Sequence, residues 1–231
     1  MLRAIIFDFN GVILNDEPLH FSSMRETVAG LGIMLGEQEY WDKYLPLDDV
    51  RCLEAICADH SVSLTAEQAE SALSRKAGLY RQLLSGRYPL FPGAASFVRS
   101  AAARYPLALA SGARRDEIAE TLEATGLGSC FSAIVGAEDF SRGKPHPESF
   151  LLALSRLNAR LNGRLAPVLP GECLVIEDSV GGVQGARAAG MMCLAITNSH
   201  PREKLGSANL VVSSLSEVSV NDLQRMLEER P

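Results

Sequence analysis

Short apolar runs, each closed by a polar or glycine-containing break, recur along the chain: "RAIIFDF" at the start, then "LALAS" (107–111), "AIVG" (133–136), "CLVIE" (173–177), "CLAI" (193–196) and "LVV" (210–212). They show no polar alternation, which is the pattern of strands covered on both faces, as in a parallel sheet. Helical patterns lie between most of them. "DEIAETLEATGLG" places Ile118, Leu122 and Thr125 on one face and stops at Gly126. "PESFLLALSRL" opens with Pro147 at a first-turn position and repeats Phe150, Leu151, Leu154 and Leu157. Strand followed by helix, repeated, predicts an α/β fold built on a doubly wound parallel sheet.

Residues 16–86 break that rhythm, because they hold helical patterns and no convincing strand. Met24, Val28 and Leu31 form one stripe and "DDVRCLEAICADH" another. "TAEQAESALSRKAGLYRQLL" opens with Thr65 and Gln68 in capping-box spacing. The reading is an inserted all-helical domain over 16–86, with residues 1–15 and 87–231 forming the core. "LSGRYPLFPGA" (84–94), with its Gly and Pro, marks the return to that core.

At 231 residues and 47% hydrophobic content the chain can bury a sizeable core. Net charge is −6 with a sequence pI near 5.3, and no basic run appears, which argues against nucleic acid and anionic membrane as partners. One Arg precedes "AIIFDFNGVIL", but Asp8 interrupts the apolar run early and no small-residue cleavage site follows, so no signal peptide is read. No apolar stretch approaches bilayer-spanning length. The five cysteines are odd in number and lack a CxxC pair, which fits reduced thiols and a cytoplasmic protein. Cys52 and Cys57 have no His or Cys partners at zinc spacing and read as buried small hydrophobes.

In open parallel sheets the ligand crevice lies outside the carboxyl ends of the strands, so polar residues that terminate several apolar runs converge there. The candidates are Asp8, Ser111, Lys144 in "SRGKPHPE", and the pair Glu177 and Asp178. Each alone has an ordinary explanation: a turn or cap for Asp8 and Ser111, a solvated loop charge for Lys144, and the acidic start of a helix for Glu177 and Asp178. Together they carry chemistry. Carboxylates at neighbouring strand ends make an all-oxygen site suited to a hard cation such as Mg²⁺. A hydroxyl and an ammonium supply donors to phosphate oxygens, and a carboxylate can serve as nucleophile, which points to phosphoryl transfer through an aspartyl-phosphate.

At these residues the sequence resembles the haloacid dehalogenase-like superfamily, and within it the β-phosphoglucomutase-like branch of phosphatases and mutases. "FDFNGVI" is similar to the first family motif, DxDG[TV], "ASG" to the second, "GKPHPE" to the third and "IEDS" to the fourth, in order along essentially the whole chain. The resemblance implies a Rossmann-like core and Asp8 as nucleophile. It implies Mg²⁺ held by Asp8, the Asn10 main-chain carbonyl and Asp178, with Glu177 beside them. Ser111, Gly112 and Lys144 would hold the transferred phosphoryl group, and residues 16–86 would be a helical cap.

Asn10 departs from the pattern, since phosphatases of this kind carry a second Asp there that protonates the leaving oxygen and then activates water. An amide keeps the backbone carbonyl but loses proton transfer, a contribution of roughly 10²–10⁴-fold. Three readings follow: a phosphatase of reduced or specialised activity, a phosphate-ligand binding protein with decayed catalysis, or a substitution that traps a complex, in which case a sugar-phosphate mutase returns. Arg114 and Arg115 are placed to reach a second phosphate or a carboxylate, or to be solvated at a helix start. His20, Arg51 and Lys76 are candidate substrate residues in the helical insertion, where Arg75, Lys76 and Tyr80 resemble the β-phosphoglucomutase-like cap. Pro46 and Asp49 stand where many relatives have Gly and a basic residue, which weakens a sugar-phosphate specificity. His146, between two prolines, reads as structural. The expected partner is a small phosphorylated metabolite, and the expected state a monomer.

Overall fold

The computed structural model describes residues 1–45, 47–86, 88–161 and 166–228; Pro46, singled out above, lies outside them. Two compact units emerge, Met1–Asn15 with Tyr88–Pro231, and Asp16–Arg87. The first is built on six parallel strands: β1 (Ala4–Phe7), β2 (Leu107–Ala110), β3 (Phe131–Val135), β4 (Cys173–Glu177), β5 (Met192–Ile196) and β6 (Leu210–Val212), in the order β3-β2-β1-β4-β5-β6. The chain enters at the middle of the sheet, winds outward through β2 and β3, and returns to the other side of β1 at β4. That is the doubly wound arrangement, with its switch point at the carboxyl end of β1. Registers Phe7 to Leu109 and Phe7 to Ile176 bring the ends of β1, β2 and β4 level.

The second unit is helical: α1 (Glu17–Ala29), a short α2 (Glu37–Glu39) that widens into a π-helical turn at Tyr40–Tyr44, α3 (Asp49–Asp59) and α4 (Ala66–Leu84). Its core joins Phe21, Met24 and Val28 to Leu53, Ile56, Cys52 and Cys57. Both cysteines are buried and free. The capping box forms: the Gln68 amide nitrogen donates to Thr65 Oγ1 at 3.2 Å and the Thr65 nitrogen to Gln68 Oε1 at 2.9 Å, which supplies partners to two backbone donors at the start of α4.

Around the sheet pack α5 (Ala94–Ala102), α6 (Arg115–Ala124), α7 (Glu148–Leu161), α8 (Val180–Ala188) and α9 (Leu223–Glu228). Strand side chains alternate between faces. Ile5, Phe7, Leu109 and Ile176 share one apolar cluster with Phe97 and Leu122, while Ala4, Ile6, Ala108 and Val175 share another with Phe150, Leu154, Leu157 and Val183. Phe7 meets Phe97 and Phe131 edge-on at 6.1 and 5.8 Å between centroids. One expectation is corrected here: Leu151 is 41% exposed and not part of the buried stripe of α7. It lies one residue, about 100°, round the helix from Phe150, and the 150, 154, 157 line is the one that faces the sheet. No described helix is long and apolar enough to cross a membrane.

Candidate active site

Asp8 follows the last residue of β1, and its backbone nitrogen donates to the Ile176 carbonyl at 2.9 Å, which holds it at the switch point. The next residues turn back sharply: Ile13 and Leu14 both donate to the Phe9 carbonyl, at 2.8 and 3.0 Å, and the Gly11 nitrogen donates to the Leu14 carbonyl at 3.0 Å. Gly11 has φ of +78°, and a Cβ there would sit 1.9 Å from Asp178 Oδ2. Only glycine satisfies both the left-handed backbone and the close approach. Asn10, half-buried, lies in this turn beside Asp8.

Lys144 reaches Asp8 Oδ1 at 2.6 Å and also donates to Glu177 Oε1, with its ammonium 5.1 Å from the Phe150 ring centre. Glu177 Oε2 accepts from the Asp178 nitrogen (3.0 Å), the Ser179 nitrogen (3.1 Å) and Ser179 Oγ (2.9 Å). Ser179 in turn caps α8, accepting from the Gly182 nitrogen at 2.9 Å. Both Glu177 oxygens are therefore engaged, and its place is to hold Lys144 and the start of α8. Ser111, buried just past the end of β2, donates its backbone nitrogen to Val135 at 3.0 Å and accepts from the Ala113 nitrogen through Oγ at 3.1 Å. Gly112, next to it, is exposed.

Asp8, Glu177 and Asp178 each offer an oxygen within 4.8 Å of the others. Burial pushes the Asp8 carboxyl up to about 7; Lys144 opposes this and Glu177 adds to it. Asp178 is raised well above the ordinary carboxylate value, by burial first and then by Glu177 and Asp8. Burial disfavours the Lys144 ammonium, yet Asp8 and Glu177 hold its pKa above the ordinary lysine value. Among the described residues, three carboxylates face one ammonium, so with all three ionised two negative charges would be uncompensated; burial and this excess hold Asp8 and Asp178 above the ordinary carboxylate value. An all-oxygen donor set with that charge deficit fits one divalent cation such as Mg²⁺.

The other candidates have partners of their own. Arg114 is exposed and paired with Asp116 at 3.1 Å, and Arg115 is paired with Asp139, so neither is an uncommitted phosphate ligand. His146 Nδ1 accepts from the Glu148 nitrogen at 3.2 Å at the start of α7. In the helical unit, Lys76 is 2% exposed and donates to Asp49 Oδ2 at 2.8 Å and to His20 Nδ1 at 2.6 Å. An ammonium on Nδ1 leaves the His20 proton on Nε2, which donates to Asp16 Oδ2 at 3.1 Å. Tyr80 completes the group with a 2.7 Å bond to the same Asp16 oxygen. Arg51 is exposed and lies 3.5 Å from Asp48, whose side chain caps α3.

Sequence reasoning missed Ser179, Asn198 and Ser199. Ser199 Oγ donates to Asp178 Oδ2, and Asn198 Nδ2 donates to the Gly11 carbonyl at 2.6 Å. The signal was present, since "TNSH" closes the apolar run "CLAI" as Asp8 closes "AIIF".

Known proteins resemble the chain in sequence and in fold. The chain is 29% identical over 230 residues to the chloroplastic 5-amino-6-(5-phospho-D-ribitylamino)uracil phosphatase of Arabidopsis thaliana, covering 96% of this chain and 57% of that protein. It thus spans little more than half the length of that relative. It is 32% identical over 198 residues to fructose-1-phosphate phosphatase YqaB of Escherichia coli, covering 81% of this chain and 93% of that protein. The fold matches that of β-phosphoglucomutase from Clostridium difficile with a TM-score of 0.80 at 24% identity, covering 99% and 98% of the two chains. Residues 2–190 match the haloacid dehalogenase-like hydrolases, and the chain belongs to that family.

Proposed function

We propose that this enzyme hydrolyses phosphate monoesters of small metabolites, with Mg²⁺, through a phosphorylated Asp8. The observation that carries the reading is the Lys144 ammonium bridging Asp8 and Glu177 inside a three-carboxylate cluster. Asp8, at the switch point, attacks phosphorus through a carboxylate oxygen, the phosphorus–oxygen bond of the ester breaks, and the leaving alkoxide takes up a proton. Lys144 and the Ser111 hydroxyl offer donors to the phosphoryl oxygens as charge shifts among them. Water then attacks the acyl phosphate and releases phosphate, which restores the Asp8 carboxylate. Asp8, Asp178 and the Asn10 carbonyl would hold Mg²⁺, which when bound supplies Lewis-acid neutralisation of the phosphoryl charge. The substrate-selecting role of His20, Lys76 and Arg51 is part of the same proposal, as is the cap function of the helical unit.

Support comes from the family and from the phosphatases among the relatives. Asn10 favours a second reading, a phosphate-ligand binder with negligible turnover. A panel of phosphorylated metabolites tested with Mg²⁺, with chelator, and with Asp8→Asn separates the two. Phosphate release that chelator and Asp8→Asn both abolish is expected. Tight binding of panel members without release by the unmodified protein would select the binder.

A further inference from the structure

The chain leaves β5 through Thr197, Asn198 and Ser199. The Thr197 nitrogen continues the sheet, donating to the Val212 carbonyl at 3.0 Å. The next two side chains turn towards the motif-bearing strands. Asn198 donates to the Gly11 carbonyl at 2.6 Å across 187 residues, and Ser199 donates to Asp178 Oδ2 across 21. Asp178 Oδ2 is thus held between the Ser199 hydroxyl and the Gly11 backbone, where a Cβ would lie 1.9 Å away. Among the described residues nothing hydrogen-bonds the other oxygen, Oδ1. Asn198 also lines a cavity of about 130 Å³ with Val12, Phe91 and Ser214.

We infer that Ser199 and Asn198 are positioning residues for the cation site: Ser199 orients the Asp178 carboxylate, and Asn198 fixes the turn that presents the Asn10 carbonyl. The inference rests on the proposed cation site at Asp8 and Asp178. Mg²⁺ requires near-ideal octahedral geometry, so a carboxylate free to rotate, or a carbonyl that has drifted, binds it poorly. Loss of such outer partners costs about 10–100-fold in metal affinity. A purely structural loop anchor behaves differently, because its loss lowers stability and leaves affinity unchanged.

The experiment is calorimetric titration of MgCl₂ into chelator-stripped full-length protein, for the unmodified chain, Ser199→Ala, Ser199→Thr, Asn198→Ala and Asp178→Asn. Binding weakened by about 10–100-fold is expected for Ser199→Ala and Asn198→Ala, with Ser199→Thr within a few-fold of the unmodified protein because it keeps the hydroxyl. In metal-free protein, Asn198→Ala should also speed exchange of the Gly11 and Leu14 amides. Unchanged affinity in both alanine variants overturns the inference, whatever their stability. If Ser199→Ala does not fold, Ser199→Cys, close in size but a weak donor, replaces it under the same criterion. Equal uptake by the unmodified protein and Asp178→Asn, or none by either, overturns the cation site itself and the positioning roles with it; affinity lost in Asp178→Asn alone overturns only the latter.

Discussion

At Asn10 a single nitrogen replaces the oxygen that would carry a proton. Under the proposed mechanism, expulsion of a poor leaving group such as a sugar alkoxide should suffer most, because an aryl or acyl phosphate departs with little protonation. Asn10→Asp is nearly isosteric and should raise alkyl phosphate hydrolysis by about 10–10⁴-fold at saturating Mg²⁺, with a much smaller change on an aryl phosphate. Steady-state rates on both ester classes check this; equal gains would mean that leaving-group protonation is not what Asn10 lacks. Gly182 is a second sensitive position. A Cβ there would lie 1.8 Å from the Glu177 carboxyl carbon, and Glu177 is fully buried and bonded to Lys144. Gly182→Ala should cost about 1–3 kcal/mol through overpacking. It should also lower kcat by about 10²-fold as Lys144 is displaced, read from urea unfolding and aryl phosphate turnover.

The segment from Gly136 to Glu148 carries Lys144 and is pinned at both ends. Arg156, on α7, donates to both Asp139 oxygens at 2.8 and 2.7 Å, and the Gly136 nitrogen donates to Asp139 Oδ2 at 2.9 Å. Beyond Lys144, Glu148 accepts from the Ser141 nitrogen at 3.0 Å and from Arg142 Nε at 3.1 Å. The Arg156 guanidinium holds the Asp139 carboxyl well below its ordinary value of 3.8, against the opposing effect of burial. A carboxyl lowered in the folded state stabilises fully above its unfolded value and loses that contribution as pH falls through the folded one. Asp139→Asn should therefore destabilise by about 1.5–3 kcal/mol at neutral pH. The gap from the unmodified protein should narrow below the unfolded value of 3.8. Urea unfolding at pH 7 and pH 3 measures both; a gap independent of pH would mean that the charge contributes nothing.

Across the whole molecule, the sheet-bearing unit closes on itself where the helical segment leaves it. Leu14 bridges to Leu90, the Asn15 nitrogen donates to the Pro89 carbonyl at 2.7 Å, and the Phe91 nitrogen to the Ile13 carbonyl at 3.0 Å. Each unit has its own apolar core. Replacing residues 17–86 with a short Gly-Ser linker should therefore leave a cooperatively folding protein that binds Mg²⁺ and hydrolyses an aryl phosphate, with its ranking of metabolite substrates lost. Circular dichroism melting and the substrate panel test this. A chain that does not fold would show that the sheet unit depends on the helical one for stability.

Much of this protein is legible in the residues alone. Apolar runs of four or five residues without alternation, closed by polar or glycine breaks and separated by helical patterns, read as strands covered on both faces, so the parallel sheet follows from "AIIF", "LALA" and "CLVIE"; the strand-end rule then gathers Asp8, Ser111, Glu177 and Asp178, and Thr65 with Gln68 announces the start of α4 through local bonds. Three-dimensional packing decided the rest. Whether a charge is free depends on partners distant in sequence: Arg115 is taken by Asp139, Lys76 by Asp49, and Glu177 by Lys144. The bond from Asn198 to Gly11 spans 187 residues. No local pattern encodes it, because it exists only once the order of the strands has set β5 near the turn that follows β1.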